Sequence, residues 1–136
     1  MNKAAFSIVS YRFNKVILNY SNFNKNEMRV AFVPQGIYNE EISEYELQFV
    51  TAIFVNKSKK TPFLSINCVA TFKFETKTTL EEIPDFFYIN AIAIIFPYIR
   101  AYVSLITTQA NVQGIILPTL NLSHLGEDLK KETTKK

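Results

Sequence analysis

Between Phe86 and Ile106 almost every position that could face water is Ile, Ala, Phe, Tyr, Val or Leu. A surface helix shows one apolar stripe, whereas a helix apolar all round is buried on several sides or spans a bilayer. The run from Phe86 to Ile99 is broken only by Asn90 and Pro97, and Arg100 follows. A span needs about 20 mostly apolar residues, and extending the run to Ile106 encloses Arg100, where a charge is costly. Burial in a soluble assembly is therefore favoured over a membrane-anchored subunit. The helix is expected from about Phe87–Asn90 to about Gln109, with Thr79 or Asp85 as cap and Pro84 beside it. Pro97 should kink it or restart it near Ile94. One face carries Ile92, Phe96, Ile99, Val103 and Ile106; the other carries Ala91, Ile95, Tyr98, Tyr102 and Leu105. Both are apolar. If the chain's own sheet covers one, a second subunit or a bound client must cover the other.

The residues before this helix read as strands. Phe6 to Tyr20 alternates, with a slip near Asn14–Lys15 that a bulge would explain. Met28 to Val33 is a short second strand, ended by Pro34-Gln35-Gly36. Tyr45, Leu47, Phe49, Ile53 and Val55 share one face of a third strand. Asn56 to Thr61 reads as a polar hairpin. The fourth strand, Phe63 to Glu75, places Leu64, Ile66, Cys68, Ala70, Phe72 and Phe74 on one face, the pattern of a one-sided antiparallel sheet. After Gly114, Ile115 to Leu122 is extended, and Ser123 to Lys131 suits a short polar helix.

Several kinds of chemistry lack their residues. His124 is the one histidine and Cys68 the one cysteine, so neither a zinc cluster nor a disulfide framework can be assembled easily. Gly36, Gly114 and Gly126 are too scattered for a phosphate loop. Glu40, Glu41, Glu44 and Glu46 read as a solvated strand edge, and Cys68 as a core residue. The net charge of +3 gathers at Lys57, Lys59, Lys60 and at Lys130, Lys131, Lys135, Lys136, which are solvated ends and not a nucleic-acid-binding face. No enzyme activity, cofactor or metal is expected. The alternating start lacks a secretory h-region, so a cytoplasmic location is expected.

Phe96-Pro97-Tyr98 with Arg100, then Gly114, Pro118 and Leu120-Asn121-Leu122, follow four strands in order. Together they resemble the SecB export-chaperone family, over roughly Phe6 to Leu122. The resemblance implies an α+β fold: a four-stranded antiparallel sheet packed against one long helix plus a short C-terminal helix. It implies a single SecB-like domain over residues 1–126; from their charge, residues 127–136 are expected to be a charged flexible tail. It also implies dimers of dimers (a homotetramer) that hold non-native polypeptides in hydrophobic grooves without ATP and deliver them to the export motor SecA. The family contacts that motor through carboxylates. The matching stretches here, Lys15-Val16-Ile17 and Leu64-Ser65-Ile66, have none, so the usual contact is not expected. In the family's second helix apolar residues reach the groove; here Leu125 and Leu129 are the candidates.

The leading expectation is an ATP-independent holdase serving protein export. The alternatives are a dedicated chaperone of one partner, of the antitoxin type, and an oligomeric scaffold for an apolar ligand. Client contacts are expected at Phe32, Tyr38, Phe86, Phe87, Tyr88, Ile92, Ile95 and Ile99, and subunit contacts at Tyr98, Tyr102 and Leu105. Phe87→Asp should then weaken client binding more than stability.

Overall fold

The computed structural model describes residues 5–20, 28–55, 61–112 and 114–136. The strands are β1 (Phe6–Leu18), β2 (Arg29–Asn39), β3 (Glu44–Phe54), β4 (Leu64–Phe74) and β5 (Thr133–Lys135); the helices are α1 (Asp85–Gln109) and α2 (Leu122–Lys131). The sheet order is β1-β4-β3-β2-β5, antiparallel except where β5 joins β2 in parallel. The long helix and the α+β class are as expected, and the sheet gains a fifth strand. The hairpin expected between β3 and β4, with Lys57, Lys59 and Lys60, lies at residues 56–60, outside the described residues.

Alternation fixes which face of each strand turns inward. Tyr45, Leu47, Phe49 and Ile53 of β3 and Leu64, Ile66, Cys68, Ala70, Phe72 and Phe74 of β4 are all buried. The β1–β4 register shifts between Phe13 and Lys15, where the alternation slips, and again between Ile8 and Ser10. Each extra residue restores the inward face that the sequence would otherwise lose.

β2 does not stop at Pro34-Gln35-Gly36 but continues to Asn39. Gly36 donates its N–H away from β3, to the Glu132 carbonyl at 3.2 Å. Pro34, two residues back, has the same orientation, so the donor that proline lacks would have faced the outer edge and not the β2–β3 ladder. The chain reverses instead at residues 40–43, where Ser43 adopts a positive φ of 52°. This hairpin is tied to the approach to α1. Tyr38 Oη donates to the Thr78 carbonyl at 2.6 Å, Thr78 N–H to Ser43 Oγ at 3.2 Å, and Leu80 N–H to Glu40 Oε2 at 2.7 Å.

Thr79 opens a short 3₁₀ turn (Leu80–Glu82), its N–H donating to Glu82 Oε1 at 2.8 Å. Pro84 is the N-cap of α1 and Asp85 lies in the first turn, a favourable place for a carboxylate. The helix passes through Pro97 as one element. The carbonyl that loses its partner there belongs to Ala93, which is exposed and can meet water. Asn111, at φ 64°, ends the helix. Its N–H donates to the Thr108 carbonyl and that of Val112 to Thr107, at 3.0 and 3.2 Å, the paired bonds of a Schellman cap. Asn111→Ala is expected to destabilise by about 1–2 kcal/mol through the left-handed backbone, and Asn111→Gly should not. Urea denaturation of both variants measures the difference.

After the cap the chain turns back along α1. Thr107 Oγ1 accepts from Ile115 N–H at 3.0 Å and Ser104 Oγ donates to the Ile115 carbonyl at 3.0 Å. Ile115 and Leu117 are buried by this, while Ile116 between them is 71 % exposed. Residues 127–136, expected as a charged flexible tail, form the end of α2 and all of β5. Leu125 and Leu129 are buried. Gly126 lies so close to α1 that a Cβ there would sit 2.6 Å from Ile89 Cγ1. The amphipathic pattern of α2 supplies the docking face, and Lys130 closes it with an exposed ion pair to Asp85 at 2.7 Å.

Candidate functional site

The inward side of α1 is consumed inside the subunit. Phe87, Tyr88, Ala91, Ile92, Ile95, Ile99 and Val103 are buried. The face of Ile92, Phe96, Ile99, Val103 and Ile106 is therefore largely covered by this chain alone, because the sheet lies on one side and the 115–117 segment and α2 wrap further round, whereas the other face keeps Tyr98 and Leu105 exposed. Six expected client-contact residues, Tyr38, Phe87, Tyr88, Ile92, Ile95 and Ile99, are enclosed in this core. Phe32 is half-buried, its ring against Phe49 and Phe96 at 5.7 and 6.0 Å. Among that set only Phe86 is exposed, at 47 %.

Phe87 is the centre of an aromatic cluster. Its ring lies 4.8 Å from Phe6, 4.8 Å from Tyr45, 5.0 Å from Phe74 and 5.5 Å from Tyr88. A side chain so enclosed cannot meet a client, so the expectation for Phe87→Asp is replaced by a structural one. The three residues assigned to subunit contact divide. Tyr102 is half-buried and stacks on Phe13 of β1 at 4.1 Å. Tyr98 stacks on Tyr11 at 4.4 Å yet stays 45 % exposed, and Leu105 is 55 % exposed.

What remains outside is an outward stripe of α1, mostly apolar but interrupted by the exposed Asn90 and Arg100. Phe86, Ala93, Pro97, Ala101 and Leu105 are exposed along it, with Tyr98 at its margin. Ala93, Pro97, Ala101 and Leu105 recur every four residues, the spacing of a ridge that packs into the groove of another helix. Three of the four are small, so the backbone of a neighbour could come close. Beside the stripe, Ala93, Phe96, Pro97 and Arg100 line one wall of an open cleft, and Thr119, Leu120 and Leu122 line the other. The FPYxR and LNL runs, distant in sequence, meet here.

Exposed apolar residues also lie along both faces of β1, the edge strand. Val9, Tyr11, Val16 and Ile17 are each at least 36 % exposed. The alternation of β1 identified it as a strand, but nothing local said that it lies at the sheet edge. Ile116 was also missed, although its place between Ile115 and Leu117 carries a period-two signal.

Burial raises the Cys68 thiol from its ordinary 9.0 to about 11 and the Tyr88 hydroxyl from 10.0 to about 12. Both keep their protons through the neutral range and neither is an activated nucleophile. A folded-state pKa raised this way adds stability that is full below pH 9 and is lost as pH climbs from 9 toward 11 for Cys68. Denaturation midpoints should therefore hold steady to pH 9 and decline above it. At pH 8, labelling of Cys68 by a thiol reagent should require unfolding. Among the described residues no group of three or more His, Cys, Asp or Glu side chains is placed to hold a metal ion.

α1 is long and apolar enough to cross a membrane by length and composition. Its inward face, however, is packed against the chain's own sheet.

No protein-family model matches this chain. An uncharacterized protein, MJ0357, from Methanocaldococcus jannaschii is 33% identical over 98 residues, covering 65% of this chain and 63% of that protein. The match thus spans less than two thirds of that relative. Among solved structures, the chain is similar to the SecB-like chaperone Rv1957 of Mycobacterium tuberculosis, in complex with a ChAD peptide from the Rv1956 HigA1 antitoxin. The TM-score is 0.69 at 17% identity, over 85% of this chain and 88% of that one. The fold is SecB-like: an α+β subunit with an antiparallel sheet, one long helix and a short C-terminal helix.

Proposed function

We propose that this protein is an ATP-independent chaperone that holds non-native polypeptide on open apolar surface and works as a cytoplasmic homo-oligomer. The observation that carries the reading is the outward stripe of α1. It stays mostly apolar, with Asn90 and Arg100 the exposed polar exceptions, after the subunit has buried what its own elements cover. Contiguous exposed apolar surface on a soluble protein marks an interaction site, and α1 adjoins the aromatic residues of β1. The likeness of fold to a chaperone bound to a peptide supports polypeptide as the ligand, without catalysis.

The surface divides naturally between two tasks. The four-residue ridge of α1 suits packing against the same helix of another copy. Phe86, the cleft beside Pro97 and the apolar margin at Ile116 suit an unfolded chain, which needs dispersion and apolar burial more than a fixed sequence. The cleft beside Pro97 is open to the surface, which favours a polypeptide over a small enclosed apolar ligand.

The partner is better read as dedicated than as general export traffic. Lys15, Val16 and Ile17 pair with Asn67, Ile66 and Ser65 in the β1–β4 ladder. The stretches matching the family's motor-contact surface therefore form one patch without a carboxylate. The neighbour of similar fold is bound to an antitoxin peptide, which supports a dedicated partner for this chain. The test is aggregation of an unfolded client with and without this protein at a stoichiometric ratio, no ATP present. Suppression is expected, and no slowing of aggregation would end the reading. Affinity capture dominated by one partner would favour the dedicated form; a broad spread of precursors would favour export.

A further inference from the structure

β5 occupies a seat on the sheet edge that is shaped in detail yet weakly filled. It pairs Thr133 with Gly36, Thr134 with Ile37 and Lys135 with Tyr38. Gly36 N–H donates to the Glu132 carbonyl at 3.2 Å and Lys136 N–H to the Tyr38 carbonyl at 2.8 Å. The Thr133 hydroxyl donates to the Leu129 carbonyl at 2.6 Å. That uses its single proton, so in the 2.5 Å contact with Tyr45 Oη it accepts from the phenol. Gly36 makes room for this pair. A Cβ there would collide with the Tyr45 phenol and lie 2.8 Å from Thr133 Oγ1. The notch therefore accepts one small hydroxylated residue and presents a buried donor to it.

The strand in this seat is only three residues long, and Thr134, Lys135 and Lys136 are exposed. Lys135 reaches Glu40 at 3.5 Å, with half of the lysine side chain exposed, and such pairs add little. Among the described residues, no strand lies on the outer edge of β2, the side away from β3, from Arg29 to Gln35. A longer extended segment would keep the notch and add ladder bonds along that edge, although Pro34 offers no donor.

We propose that β5 is exchangeable: an extended segment of a bound polypeptide replaces Thr133–Lys135 on β2. The incoming strand runs parallel to β2, sets serine or threonine opposite Gly36, and favours a cation two residues later near Glu40. β5 then acts as an internal competitor that is released when a client strand docks. This rests on the polypeptide-binding reading above.

The probe is a fluorescein-labelled ten-residue extended peptide with central threonine and lysine two places on, and its valine counterpart. Binding is measured to the full chain, to Thr133→Val and to a chain lacking residues 132–136. Client aggregation is followed with the same proteins. At least fivefold tighter binding of the threonine peptide to both altered chains, with preference over the valine peptide, is the expected result. Unchanged peptide affinity with client still protected overturns the exchange and leaves the chaperone reading intact. Failure of every protein, the full chain included, to bind either peptide or client overturns both. A gain that appears only with doubled native mass assigns the seat to β5 of a second copy and also overturns it. Should the shortened chain fail to fold, hydrogen exchange at Gly36 of the full chain decides. Exchange faster than global unfolding supports release of β5, and exchange only through global unfolding overturns it.

Discussion

Phe87→Ala is expected to destabilise the subunit by about 3–5 kcal/mol, the range for truncating a fully enclosed aromatic side chain. Phe87 is wholly buried, and four elements, β1, β3, β4 and α1, meet on its ring through Phe6, Tyr45, Phe74 and Tyr88. Removing it loses the transfer free energy of the ring and leaves a cavity whose walls are other rings, which collapse poorly. Edge-to-face contacts add about 0.5–1.5 kcal/mol each beyond area burial, so the loss should sit in the upper part of that range. Set against a typical total of about 5–15 kcal/mol, one substitution brings the protein close to the unfolding threshold. Chemical denaturation gives the number. A loss under ~1 kcal/mol would mean that the cluster does not hold the elements together.

The double variant Ala101→Glu, Leu105→Glu should have the opposite profile. Both residues are exposed on the outward stripe one helical turn apart, so the subunit fold should change by no more than about 0.5 kcal/mol. Association between copies should weaken at least about 100-fold, because two carboxylates would be buried against an apolar neighbour with nothing to pair them. That corresponds to roughly 2.7 kcal/mol. Sedimentation at micromolar concentration should show a multimer for the parent chain and a folded single subunit for the variant. A parent that is already monomeric, or a variant of unchanged mass, would remove the stripe as an interface.

How far the sequence speaks depends on the kind of signal. β3 and β4 were legible because period-two burial is written in their residues, from Tyr45 to Ile53 and from Leu64 to Phe74. The bulge near Asn14 was legible for the same reason, since a slip in alternation has few other causes. The end of β2 was misplaced because Pro34 and Gly36 usually punctuate a chain. Whether they do so depends on which side of the strand faces a neighbour, and that is a property of the sheet. β5 was invisible: Thr133-Thr134-Lys135 has no apolar pattern, and its place is set by one hydroxyl contact to Tyr45 and by room at Gly36. The apolar excess of α1 was legible in total but not in direction. Composition said that the helix needed cover, and only the wrapping by residues 115–117 and α2 revealed how much this chain supplies. That is why Tyr88 and Ile92 moved from expected surface to core, while the Ala93–Leu105 ridge emerged outside.

The strand order has a kinetic consequence. β1 precedes β2 and β3, but its ladder partner is β4, with Phe6 opposite Phe74. During synthesis the first strand must therefore wait, its aromatic residues uncovered, until most of the sheet has been made. Closing so long a loop costs entropy before any pairing rewards it. Docking of β1 should be the late, rate-limiting event of folding. A protein read here as a guardian of unfinished chains thus passes through a vulnerable interval of its own.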